Sequence, residues 1–136
     1  MSWAYEISTG RMYYDDGSLL ATGYSGQPPH VNDLAAVGER GIGPIPPGSW
    51  QLTGVEDSPR TGPFTIILTP DAATMLSVLA LGRDPNTLRI HGERETPPPG
   101  YASDGCVVLP HEIRKKIWDS GDHYLDTIAT LEEEPS

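Results

Sequence analysis

The residues whose types and spacing could do chemistry lie in one stretch: His91-Gly92, a proline-rich loop, then Ser103-Asp104-Gly105-Cys106-Val107. A thiol near neutral pH is mostly protonated and must become a thiolate before it attacks a carbonyl. An imidazole brings this about, as a proton acceptor or as an ion-pair partner. The chemistry expected is acyl transfer, with Cys106 as nucleophile and His91 as base. Gly105, just before the nucleophile, permits an unusual backbone angle and close approach of substrate to the main chain. The N–H groups of Gly105 and Cys106 are candidate donors to a developing oxyanion. Gly92 keeps the space beside His91 clear, and Ser103 either orients His91 or caps a turn. In an average chain a lone cysteine is a small buried apolar residue and a glycine merely serves a turn. A thiol flanked by glycine and matched with a histidine is what favours chemistry. Cys106 is the one cysteine, so no internal disulfide forms and no structural zinc site follows from it. No metal or cofactor is expected.

The elements that must position this pair are short strands. Gly and Pro number 15 and 14, and Val, Ile, Leu, Trp and Tyr recur between them, a pattern of brief elements joined by tight turns. Trp3 to Ile7, Arg11 to Tyr14 and Ser18 to Tyr24 read as an antiparallel meander, with turns at Thr9-Gly10 and Asp15-Asp16-Gly17. Ser25 to Gly48 reads as a long functional or connecting loop. Ser49 to Val55 and Phe64 to Leu68 read as strands, the second central because its apolar run is nearly continuous. Thr69-Pro70-Asp71 reads as a helix start, leading into a helix with Ala72, Met75, Leu76 and Leu79 on a core-facing side. Thr87 to His91 and Cys106 to Leu109 read as the strands that bring base and nucleophile together. Pro110 opens a second helix with Ile113, Ile117 and Trp118 on one face, and Tyr124 to Leu131 closes the chain as a strand. The expected fold is mostly β, sandwich- or barrel-like, with two short helices in a single domain over residues 1–136. Trp3, Trp50 and Trp118 are expected core anchors. His30 reads as a solvated loop histidine, and His111 and His123 as surface or core.

The formal net charge of the 136-residue chain is -10, and its few Lys and Arg are scattered, which argues against nucleic acid as a partner. The acidic run Glu132-Glu133-Glu134 reads as a solvated end. No stretch approaches the ~18 apolar residues of a membrane span. The N-terminus lacks the basic start and apolar stretch of a secretory signal, so the chain is expected to be made in the cytoplasm and to leave, if it leaves, without a cleaved signal.

The His-Gly, loop, Ser-x-Gly-Cys pattern resembles the catalytic motif of the YkuD-like L,D-transpeptidases. The sequence more closely resembles the Tlde1 family, L,D-transpeptidase-like toxins of type VI secretion. Trp3 and Tyr5, Gly23-Tyr24-Ser25-Gly26, Asn32, Gly43-Pro44-Ile45-Pro46, Gly48, Gly82-Arg83, Ile90-His91-Gly92, Ser103-Asp104-Gly105-Cys106-Val107-Val108-Leu109 and Arg114 carry that resemblance. It implies a YkuD-like fold and action on peptidoglycan tetrapeptide stems through a cysteine acyl-enzyme. It also implies a cognate immunity protein, a type VI secretion delivery component, and action in the periplasm of a target bacterium.

The sequence departs from the larger YkuD group in two places. That group has a histidine just before Gly-Cys and an arginine soon after; here Asp104 and Val107-Val108 stand in those neighbourhoods. Asp104 is therefore assigned either to an ammonium group of substrate or to the turn. The cationic contact falls to Arg83, Arg94 or Arg114, with Arg83 first because the resemblance includes it. Tyr24, Ser25 and Asn32 are expected to line the cleft with Gly92, or else to build turns. Two other readings compete: a Cys-His amidase or peptidase with a different substrate, and a peptidoglycan-binding or immunity-type module with an inert thiol.

Overall fold

The structure, a computed structural model, describes residues 2–58, 61–93, 103 and 105–130. Its strands are β1 (Trp3–Glu6), β2 (Arg11–Tyr13), β3 (Leu19–Thr22), β4 (Tyr24–Ser25), β5 (Gly48–Ser58), β6 (Gly62–Pro70), β7 (Arg89–His91), β8 (Val107–Val108) and β9 (Tyr124–Ile128). The helices are α1 (Ala72–Ala80) and α2 (His111–Asp119), and a 3-10 turn spans Leu34–Ala36. The described strands form one sheet in the order β3-β2-β1-β9-β5-β6-β7-β8-β4. Neighbours are antiparallel except β1 with β9 and β7 with β8. The fold is mostly β with two short helices, as the sequence implies. No helix among the described residues is long and apolar enough to cross a membrane.

The meander of β1, β2 and β3 forms as expected, but its third strand does not run through to Tyr24. It breaks at Gly23, and the chain passes directly from one edge strand of the sheet, β3, to the other, β4. Gly23 makes the crossing possible. Its N–H donates to Gly10 O at 2.7 Å, and a Cβ there would overlap the Val108 carbonyl of β8. Because the two edges are consecutive in sequence, the sheet rolls on itself as a barrel does.

The core fills the inside of this roll with Trp3, Tyr5, Met12, Trp50, Leu52, Ile66, Leu68, Ile90, Val107 and Leu125. β6 lies between β5 and β7, the central place its apolar run indicates. Trp3 and Trp50 are buried anchors, their indole N–H groups donating to Asp122 O and Thr127 Oγ1. Trp118 is half-buried and stacks on His123.

Helix α1 departs from the expectation twice. Asp71, not Thr69, is its cap, accepting from the Thr74 N–H at 2.8 Å, while Thr69 and Pro70 end β6. Its apolar residues also face outward: Leu76 is 70 % exposed and Leu79 54 % exposed, and Thr74 and Val78 are buried instead. The anchor is part apolar and part polar, with Val78 in the core and Thr74 hydrogen-bonded. Thr74 Oγ1 accepts the Ser49 N–H at 2.8 Å, which turns that face onto β5. Helix α2 follows its sequence reading, with Pro110 at its start, Ile117 buried, and Ile113 and Trp118 packed against the core.

Candidate active site

The site is built on one of the short, two-pair ladders of the sheet. β7 and β8 run parallel with only two paired positions, Ile90 with Val107 and His91 with Val108. His91 closes its strand, whereas Cys106 sits one residue before β8 opens. In a parallel pair these are opposite ends of the two strands. The register carries Cys106 to the level of Arg89, two residues short of His91. A two-residue offset keeps positions on one face of a pleated sheet and separates them along the strand by roughly 6.6 Å. A longer ladder would pull His91 and Cys106 apart.

His91 is 1 % exposed. Its Nδ1 lies 2.9 Å from the Gly92 carbonyl. A carbonyl only accepts, so Nδ1 carries the proton in this contact and Nε2 is left as the basic nitrogen. The partner of Nδ1 is thus the backbone of the next residue, a partner with no side-chain signature for a sequence to display. Cys106 is 8 % exposed, and its Sγ lies 3.7 Å from the Thr87 carbonyl just before β7.

The turn that presents Cys106 is held by hydroxyls. Ser103 Oγ accepts from the Gly105 N–H at 3.1 Å and the Gly26 N–H at 2.9 Å, and donates to the Cys106 carbonyl. Ser103 therefore caps the turn that presents Cys106. The Gly105 N–H, expected to face an oxyanion, serves the turn instead. Ser25, in β4, is fully buried; its hydroxyl donates to Gly105 O at 3.1 Å and accepts the Ile45 N–H at 2.8 Å. Asn32, at φ 55°, accepts the Ser25 N–H through Oδ1 at 3.2 Å. Of the two roles open to Ser25 and Asn32, lining the cleft or building turns, their hydrogen bonds match the second: Ser25 braces the turn of Cys106, and Asn32 braces Ser25. Tyr24 does reach the rim, its hydroxyl donating to Glu93 just after the His91-Gly92 pair. Asp104 and Arg94 lie outside the described residues.

Two of the three candidate arginines are buried under the site. Arg83 donates through Nη1 to Val37 O at 2.7 Å and Pro44 O at 3.0 Å, and through Nη2 to Gly43 O at 3.4 Å. Arg114 donates to Phe64 O at 3.0 Å, Pro63 O at 3.1 Å and Leu109 O. Each packs under a glycine of the motif. A Cβ on Gly105 would overlap Arg83 Nη2, and one on Gly92 would lie 2.7 Å from Arg114 Nη1. Gly105 also sits at φ 123°, a backbone region that side chains rarely adopt. Burial pulls the pKa of both guanidiniums below the ordinary value, and for Arg83 the negative charge of Cys106 pulls in the opposite direction. The sequence named both arginines as substrate grips; their hydrogen bonds make them part of the scaffold. No group of His, Cys, Asp and Glu among the described residues could hold a metal ion.

A family model for the Tlde1 domain matches residues 20–130, from β3 to just past β9. The chain belongs to the Tlde1 domain family. The match takes in the whole Tlde1 site described above, both arginines and both glycines included. No curated protein matches the sequence significantly. Among solved structures, the chain is similar to the helical cell shape determining protein Pgp2 from Campylobacter jejuni. That likeness has 19 % identity and a TM-score of 0.56, and covers 98 % of this chain and 49 % of Pgp2. The chain is also similar to an L,D-transpeptidase from Mycobacterium smegmatis, at 15 % identity and TM-score 0.51, covering 93 % of this chain and 58 % of that one. It thus spans about half the length of these proteins. At such identities the likeness establishes the fold: this Tlde1 domain has the L,D-transpeptidase-like architecture that the YkuD resemblance implies.

Proposed function

We propose that this Tlde1 domain is a cysteine acyl-transfer enzyme acting on peptidoglycan stem peptides. The family and the L,D-transpeptidase-like fold support a peptidoglycan-acting enzyme. The observation that carries the cysteine mechanism is the His91 contact: Nδ1 donates to the Gly92 carbonyl, so Nε2 is basic, at the end of a two-pair ladder that begins beside Cys106.

In the proposed reaction His91 Nε2 takes the proton from Cys106 Sγ. The thiolate attacks the carbonyl at the L-centre of the third stem residue, a diamino acid. Of the two amides first assigned to the oxyanion, only that of Cys106 stays with the proposal. The terminal D-amino acid leaves with the proton returned by His91, and a thioester remains on Cys106. Water resolves it to a shortened stem, a free D-amino acid to an exchanged stem, and a second stem's amine to a cross-link. The proposed setting is that of an antibacterial type VI secretion toxin acting in the periplasm of a target cell. Its immunity protein would plug the cleft, and the acidic surface of the chain favours a partner with a basic contact face.

The test incubates the parent, Cys106→Ala and His91→Ala with tetrapeptide muropeptides and analyses the products. Loss of the thiol should abolish processing, and loss of the base should slow it by about 100- to 10,000-fold. Processing at the parent rate by either variant would sink the mechanism.

A further inference from the structure

We propose that Arg83 is a positioning residue for the nucleophile, a buried guanidinium whose fixed charge favours the thiolate form of Cys106. The inference rests on the reading of Cys106 as nucleophile, and it is independent of which acyl substrate the enzyme takes.

The geometry is specific. Arg83 is 6 % exposed, and its fork is fixed by three carbonyls of the 37–44 segment. All three are neutral. Among the described residues no carboxylate lies within ion-pair distance of the guanidinium. With no carboxylate to neutralise it, the charge of Arg83 is left to act on an anion nearby. The nearest place for one is the nucleophile: Nη2 packs so closely against Gly105 that only glycine fits there, and Cys106 is the next residue.

Among the described residues, two groups come to the thiol from the β7 side. From β7 comes His91, and from the segment preceding β7 comes the Thr87 carbonyl, 3.7 Å from Sγ. That carbonyl suits a thiol, which can donate to it, and repels a thiolate. Arg83 stands on the opposite side of that balance. Arg40 and Asp84 share an open groove with Arg83 between the end of α1 and the 37–44 segment, and Asp104 adjoins Gly105 in sequence. The attraction is mutual: the charge of Cys106 helps keep the proton on Arg83, so the charge of Arg83 helps take it off Cys106.

Cys106 is the chain's one cysteine, so its alkylation by iodoacetamide can be followed without background. The pH–rate profile is measured for the parent, Arg83→Gln and Arg83→Lys, with folding checked by circular dichroism. Arg83→Gln keeps a donor for the carbonyls but removes the charge. Its low-pH limb should move up by about one unit or more, roughly tenfold slower alkylation at a fixed pH below the limb. Arg83→Lys keeps the charge and should fall near the parent. A Gln limb that coincides with the parent overturns the proposal, and so do equal shifts for Gln and Lys, which would mean that geometry rather than charge acts. His91→Ala supplies an arm in which the arginine is intact. With the imidazole gone, a limb still below the ordinary thiol value of about 8.5 supports a second source of thiolate stabilisation, and a limb at or above it overturns the proposal. No peptidoglycan is involved. A protein that ignores muropeptides yet shows these shifts retains the Arg83 role while losing its proposed substrate.

Discussion

The two halves of the site are built alike. Under His91, Arg114 reaches from α2, ties three carbonyls together and fills the space below Gly92. Under Cys106, Arg83 reaches from just after α1, ties three carbonyls together and fills the space below Gly105. Both are buried and neither has a carboxylate partner among the described residues. They differ in what lies beyond the glycine. The guanidinium of Arg114 meets only dipoles, and burial alone accounts for its lowered pKa, whereas Arg83 also feels the charge of Cys106. One scaffold device has been used twice, and the proposed role of Arg83 depends on this difference.

The glycines break the comparison most sharply. Gly105→Ala combines strain at φ 123° with overlap against a guanidinium pinned by three carbonyls. The loss in urea denaturation should be about 3 kcal/mol. Gly92→Ala meets only the far end of Arg114, at 2.7 Å, with no positive φ to oppose it; about 1 kcal/mol is expected. Equal losses would mean that the two turns are held alike and that Gly105 has no special backbone role.

The arginines separate stability from reactivity. Arg114→Gln leaves carbonyls of Phe64, Pro63 and Leu109 short of donors, and about 2 kcal/mol of stability should be lost. Its Cys106 alkylation profile should nevertheless follow the parent's. A shifted limb in this variant would show that any damage near the site alters the thiol, and the distinction between the two arginines would collapse.

How much of this could be read from the sequence depends on the range of the interaction. The β1–β3 meander and the Gly105-Cys106 turn are local, written in turn residues and alternation. Helix α1 shows where local patterning misleads. Its apolar positions Leu76 and Leu79 share a helical face, but Val78 in the core and a threonine hydroxyl bound to the Ser49 N–H decide which face docks. The parallel pairing of β7 with β8, and the jump at Gly23 from one sheet edge to the other, are contacts between distant segments that periodicity does not encode. Within the site, Cys106 and His91 were legible as residue types. The Gly92 carbonyl was not, because a backbone acceptor has no letter of its own. Ser25 was legible as part of the site, but not whether it lined the cleft or built a turn: a serine's role depends on burial, and β4 places it under the cysteine.

Acid should loosen one half of the site before the other. The segment that holds Arg83 begins at Asp33, whose side chain accepts from the Ala35 N–H at 3.0 Å and lies 3.0 Å from His30 Nδ1. The His30 hydrogen bond first, and the Ala35 N–H next, keep the Asp33 carboxyl below its ordinary value. A carboxyl whose folded pKa is depressed stabilises the fold fully above its unfolded value, near 3.8, and loses that contribution as pH falls through the folded value. The carbonyl ligands of Arg83 at Val37, Gly43 and Pro44 follow this capped 3-10 turn directly, while those of Arg114 belong to β6 and the end of β8. Amide hydrogen-exchange protection at Ala35, Ala36 and Val37 should therefore weaken on acidification from about pH 5 to about pH 3, before that at Arg114 and Ile117 in α2. The effect is the smallest of those expected, because Asp33 is solvated and its partners are partly so. Simultaneous loss at both places would mean that the 30–44 segment and the α2 side open as one unit, and that the Arg83 half has no separate acid-sensitive support.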